Sequence, residues 1–102
     1  MDKKTIIENI KSRLGIELLN DMQQALISSD APNIILTSPT ASGKTLAFAC
    51  RMFKSLRAAC GEVQAIVIAP SRELVMQIES VIRPIATGYK TVALYGGHSM
   101  AD

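Results

Sequence analysis

Three short apolar segments constrain the fold of this 102-residue chain most strongly; they span residues 34–36, 63–69 and 91–95. Runs of this length, rich in β-branched residues, are typical of strands covered on both faces of a parallel sheet. Consecutive strands of such a sheet are joined by helices, and helical patterns separate the three segments here. The sequence therefore predicts an α/β fold, a parallel sheet of about three strands with covering helices.

The helical patterns carry recognisable start and stop signals. Thr5 with Glu8 predicts a capping box at the start of the first helix, and Gly15 predicts its end. Asn20 with Gln23 predicts the start of the second helix. The helices are predicted over residues 5–14, 20–29, 44–60 and 71–87. No linker or repeat separates these elements, so residues 1–102 are expected to form one small domain.

The cysteines and the net charge indicate the cellular compartment and the kind of partner. Cys50 and Cys60 fall in one predicted helix at a spacing of about 15 Å, too far for a disulfide, so free thiols are expected. With no signal-peptide or membrane-spanning pattern, the reducing cytoplasm is the expected compartment. A net charge of +2 permits an anionic partner, but it is not the dense basic patch of a dedicated nucleic-acid module.

A candidate phosphate-binding loop follows the first apolar segment and opens a helix. It consists of Ser38, Pro39, Thr40, Ala41, Ser42, Gly43, Lys44 and Thr45. Backbone amides of such a loop and of the helix that it opens converge on one anion. Lys44 would contact the terminal phosphates, and the Thr45 hydroxyl would bind Mg²⁺. The loop departs from the G-x-x-x-x-G-K-[ST] pattern at its first position, where Ser38 replaces glycine.

The loop alone leaves several classes of protein open. It also resembles the loop of enzymes that transfer an isopentenyl group to tRNA, so a transferase or kinase is one alternative. Such an enzyme would need an acidic substrate-binding residue soon after the loop, whereas residues 46–60 contain no acid. A non-catalytic module that binds RNA or another protein is a further alternative.

Segments outside the loop carry a more specific resemblance. Residues 70–78 read P-S-R-E-L-V-M-Q-I, and residues 95–97 read Y-G-G. Residues 15–23 read G-I-E-L-L-N-D-M-Q. Together with the loop, these segments resemble, in order, four motifs of DEAD-box ATP-dependent RNA helicases. The resemblance spans residues 15–97, and the segment 70–78 is its most specific member.

The resemblance implies a role for each matching residue. Gln23 would recognise the adenine of ATP, and Lys44 would be the candidate catalytic residue on its phosphates. RNA-backbone contacts would come from Pro70, Ser71, Arg72, Gly96 and Gly97. The implied fold is part of a RecA-like domain, and the implied ligands are ATP, Mg²⁺ and RNA.

The resemblance also implies what these 102 residues lack. They contain no D-E-A-D segment, whose carboxylates would hold Mg²⁺ and position water. We therefore expect the chain alone neither to hydrolyse ATP nor to unwind RNA. Because its predicted strands would have unpaired edges, we also expect it to self-associate.

Overall fold

The computed structural model describes residues 1–37, 43–58 and 60–95. The regular secondary structure of these residues is helical. A short π-helical turn, Ile10–Leu14, continues the first helix. The α-helices are α1 (Lys3–Asn9), α2 (Asp21–Ser28), α3 (Lys44–Ser55) and α4 (Arg72–Ile85). The predicted order of four helical regions is confirmed.

The predicted α/β fold is wrong for these residues, because none of the three apolar segments forms a strand. A strand is defined by hydrogen bonds to a neighbour distant in sequence, and apolar, β-branched composition cannot supply that neighbour. Much of the apolar surface is therefore left in solvent: Ile35 is 95% exposed and Ile68 is 91% exposed. The parallel sheet and its covered strands are replaced by a purely helical core.

The core lies where α3 packs against the other helices. Phe53 of α3 is its largest fully buried side chain. The remaining buried members recur at helical spacing and are Ile6, Ile10, Ile27, Leu46, Ala49, Cys50, Ile78, Ile82, Ile85 and Ala86. Because side chains three or four residues apart share one face, each helix offers an apolar stripe to this core.

Local capping signals place two helix starts correctly and one incorrectly. The capping box of Asn20 and Gln23 is formed in both directions at α2, as predicted. Ser71 caps α4 by accepting from the Leu74 amide. At α1 the cap is Asp2, whose carboxylate accepts from the Thr5 amide, so the predicted Thr5–Glu8 capping box is wrong. Gly15 ends the helical region in the left-handed conformation, as predicted.

Helix α3 ends at Ser55, five residues before the predicted end at Cys60. The Gln64 side chain explains the early end, because it bonds both the amide and the carbonyl of Arg57. Both cysteines are free, but only Cys50 is buried and Cys60 lies outside the helix. Burial raises the pKa of the Cys50 thiol to about 11, so Cys50 stays uncharged at neutral pH and packs as a small apolar side chain.

None of the described helices is both long enough and apolar enough to cross a membrane.

Candidate nucleotide and RNA site

The start of α3 has the backbone geometry that a phosphate-binding helix needs. Gly43 occupies the N-cap position with φ +84°, a left-handed conformation that favours glycine. Because glycine has no side chain, it cannot accept a hydrogen bond from the first amides of α3. Lys44 and Thr45 follow in the first turn, both half-buried, and that turn contains no acidic residue. The amides, the helix dipole and the Lys44 ammonium together favour an anion at this end.

The Gln23 side chain joins α2 to the start of α3. Its Oε1 accepts from the Asn20 amide at 3.0 Å, and its Nε2 donates to the Gly43 carbonyl at 3.3 Å. Gln23 is only 6% exposed, and it is the one buried polar residue in the part of the chain that the structure describes. A β-carbon added at Gly43 would lie 2.6 Å from Gln23 Nε2. The two segments that the sequence predicts to bind nucleotide, around Gln23 and around Gly43, are thus in direct contact.

A second cluster lies at the start of α4. Pro70, Ser71 and Arg72 are all exposed there. The Ser71 hydroxyl accepts from the Leu74 amide at 3.2 Å, so it caps the helix in this structure. The guanidinium carbon of Arg72 lies 6.0 Å from the centre of the Tyr95 ring. Tyr95 was not among the predicted site residues, although an aromatic residue directly before two predicted RNA-binding glycines was a signal for it.

Part of each predicted site lies outside the described residues. For the phosphate loop these are Ser38, Pro39, Thr40, Ala41 and Ser42, and for the RNA site they are Gly96 and Gly97. The described part of the candidate site therefore consists of Gln23, Gly43, Lys44 and Thr45 on one side and Pro70, Ser71 and Arg72 on the other.

The comparison with known protein families covers both parts of the candidate site. The family model described as DEAD/DEAH box helicase matches residues 20–102, most of the chain. The chain belongs to the DEAD/DEAH box helicase family. This family match begins at Asn20, so it includes Gln23, the whole phosphate loop and the segment 70–78.

Individual relatives in the DEAD/DEAH box family are similar over most of this chain. A probable ATP-dependent RNA helicase, YfmL of Bacillus subtilis, is 40% identical over 77 residues, which is 74% of this chain and 20% of that protein. The DEAD-box ATP-dependent RNA helicase CshC of Bacillus cereus is 29% identical over 100 residues, 94% of this chain and 26% of that protein. DEAD-box ATP-dependent RNA helicase 3 of Helianthus annuus is 34% identical over 105 aligned positions, 92% of this chain and 44% of that protein.

The chain thus spans about a fifth to a quarter of the length of the two bacterial relatives. The comparison with solved structures found no match.

Proposed function

We propose that this chain is an ATP- and RNA-binding portion of an ATP-dependent RNA helicase. The observation that carries the proposal is the start of α3, where a left-handed Gly43 is followed directly by Lys44 and Thr45. That geometry suits the phosphates of a nucleotide, and the named relatives are ATP-dependent RNA helicases. Family membership favours this function over a transferase or kinase with a similar loop.

Each residue at the start of α3 has a distinct task in this proposal. The Lys44 ammonium neutralises charge on the terminal phosphates, while the α3 amides donate to their oxygens. The Thr45 hydroxyl would hold Mg²⁺, which, when bound, offsets the negative charge between the phosphate groups. Gly43 supplies the left-handed N-cap conformation and leaves room for the Gln23 amide against the backbone.

Gln23 supports adenine recognition by its position, since it contacts the residue that opens the phosphate-binding helix. An amide side chain can donate to and accept from one adenine edge at once. In the structure the Gln23 amide is bonded to Asn20 and Gly43. Adenine binding by Gln23 therefore requires the amide to share or exchange these two hydrogen bonds.

The start of α4 supports RNA-backbone binding. Ser71 and Arg72 are exposed at a helix N-terminus, where amides, a hydroxyl and a guanidinium can all donate to phosphate oxygens. We further propose that the 102-residue polypeptide binds ATP without turning it over, because its sequence has no D-E-A-D carboxylates. A cytoplasmic location is part of the same proposal.

Replacing Lys44 with alanine should weaken binding of a fluorescent ATP analogue with Mg²⁺ by about ten- to a hundredfold, the range of a lost charge-assisted hydrogen bond. Fluorescence anisotropy with both ATP and ADP analogues measures the effect. The matched control is Lys4→Ala, which removes an exposed lysine from the first turn of α1. Equal affinities for wild type and Lys44→Ala would reject the nucleotide site.

We propose that the chain self-associates through its three apolar segments, which form no sheet and leave apolar side chains in solvent. Ile34, Leu36 and Ile66 line an open groove of about 560 Å³ beside Phe48 and Met52 of α3. Ile35, Val63 and Ile68 of the same apolar segments are each at least 80% exposed, and exposed apolar surface of this kind is typical of interfaces.

The double variant Ile35→Lys, Ile68→Lys should shift the chain from oligomer towards monomer in light scattering, because two nearly fully exposed apolar side chains become charged. Leu18→Lys is the control, since Leu18 is 84% exposed but lies outside the three apolar segments. A wild-type chain that is already a monodisperse monomer contradicts the proposal.

A further inference from the structure

Two arginines of α4 contact opposite ends of the third apolar segment. Arg83 donates to the Thr91 carbonyl at 3.3 Å, and it pairs with Glu79 at 2.6 Å. At the other end, the Arg72 guanidinium carbon lies 6.0 Å from the centre of the Tyr95 ring. Residues 91–95 therefore run back along α4, from near its last turn to its first residue.

The spacing along the helix makes this double contact possible. Residues 72 and 83 are separated by about three full turns, so Arg72 and Arg83 project from the same side of α4. They are about 16 Å apart along the axis, whereas a four-residue step spans at most about 14 Å, and the long arginine side chains cover the difference. The length of these arginine side chains thus allows both ends of residues 91–95 to contact α4 at the same time.

From this geometry we infer that Tyr95 is a positioning residue, whose ring holds the Arg72 guanidinium in place to bind an RNA phosphate. The inference rests on the proposed RNA-binding role of Arg72. It assigns to Tyr95 no contact with RNA of its own.

The chemistry of the pair suits this task. A guanidinium over an aromatic face is attracted to the ring through its positive charge, and an arginine can contact a ring and a phosphate at the same time. A long arginine side chain loses rotamer freedom when a phosphate fixes it, and that loss weakens binding. The half-buried ring of Tyr95 lowers this cost in advance by restricting Arg72 before RNA arrives.

The test compares five proteins in binding a fluorescein-labelled single-stranded oligouridine: wild type, Tyr95→Phe, Tyr95→Leu, Arg72→Ala and the double variant Arg72→Ala, Tyr95→Leu. Tyr95→Phe keeps the ring and should bind within twofold of wild type. Tyr95→Leu should bind about two- to fivefold more weakly, the effect of a cation–π contact at an exposed site. In the Arg72→Ala background, Tyr95→Leu should have no further effect, because the arginine that the ring holds is gone.

The salt dependence of RNA affinity distinguishes the loss of a phosphate contact from a general loss of structure. Arg72→Ala should reduce the slope of log affinity against log salt by about one, as for the loss of one phosphate contact. Tyr95→Leu should reduce the slope in the same direction, although it removes no charge. The control is Arg13→Ala, which removes one exposed arginine at the end of the π-helical turn and should leave the slope unchanged.

The outcomes separate the inference from the proposed function. If Arg72→Ala binds RNA like wild type, the RNA role of Arg72 is rejected, and the inference with it. If Arg72→Ala weakens binding but Tyr95→Leu does not, only the inference is overturned. Equal losses from Tyr95→Leu in both backgrounds, or from Tyr95→Phe and Tyr95→Leu, would also overturn it.

A second measurement tests the contact without RNA. Nitrogen relaxation at the Arg72 Nε reports the order of the guanidinium group. We expect this order to fall in Tyr95→Leu and to be retained in Tyr95→Phe. Unchanged order in Tyr95→Leu would overturn the inference even if the variant binds RNA weakly.

Discussion

Replacing Phe53 with alanine is expected to lower the free energy of unfolding by about 3–5 kcal/mol, the range for truncating a buried phenylalanine. Phe53 is fully buried at the centre of the helical core, so its ring leaves a cavity that the surrounding helices can only partly fill. The loss is comparable with the whole stability of many small domains. Urea unfolding followed by far-ultraviolet circular dichroism measures the change.

Phe48→Ala is the matched control for Phe53→Ala. Both substitutions remove the same side chain from α3, but Phe48 is only partly buried and lines the open groove. We expect a clearly smaller loss at Phe48, because less apolar area is returned to water. Equal losses at the two positions would contradict the placement of the core on the Phe53 face of α3.

Replacing Gly43 with alanine is expected to destabilise the chain by about 2–4 kcal/mol, the sum of left-handed backbone strain and an overpacked contact. The backbone at Gly43 has φ +84°, and a new β-carbon would lie 2.6 Å from Gln23 Nε2 and 3.3 Å from Asn20 Nδ2. The link between α2 and α3 must therefore open. Thermal unfolding measures the loss of stability, and titration with the ATP analogue should show weaker binding in the same variant.

Gly88→Ala separates the two causes. Gly88 has φ +86°, nearly the same as Gly43, but a β-carbon there meets nothing within 4 Å. Gly88→Ala should therefore show the backbone strain alone, and the difference between the two variants measures the contact with Gln23. In a Gln23→Ala background that difference should largely disappear. A Gly43→Ala variant no less stable than Gly88→Ala would count against the close contact.

How far the sequence could predict this structure depended on how local each signal was. Helix α2 was predicted from two residues three apart, Asn20 and Gln23, which bond each other directly. Helix α4 was predicted from Ser71 and from an apolar period that is visible within a few turns. The end of α3 was misplaced because it depends on Gln64, a side chain nine residues beyond the last helical residue.

The three apolar segments were predicted wrongly because strand formation does not depend on local signals alone. Their composition favours strands, but pairing is a contact between distant residues, and the described residues contain no such ladder. At the candidate site, resemblance to motifs predicts roles for Gln23, Gly43 and Arg72 one at a time. The sequence could not show that Gln23 bonds Gly43 or that the Arg72 guanidinium lies over the Tyr95 ring, since residues that are twenty or more positions apart meet there.

The two hydrogen bonds of Gln23 couple ligand binding to the order of α2. One bond closes the capping box, and the other holds the first residue before α3. A ligand that hydrogen-bonds the Gln23 amide in place of Asn20 and Gly43 destabilises the start of α2. The free energy of this destabilisation equals the binding free energy that the ligand loses, because linkage between two equilibria is reciprocal. The amide that would recognise the base thus also stabilises the contact between α2 and α3. Stronger hydrogen bonds from Gln23 to Asn20 and Gly43 would therefore weaken recognition of the base.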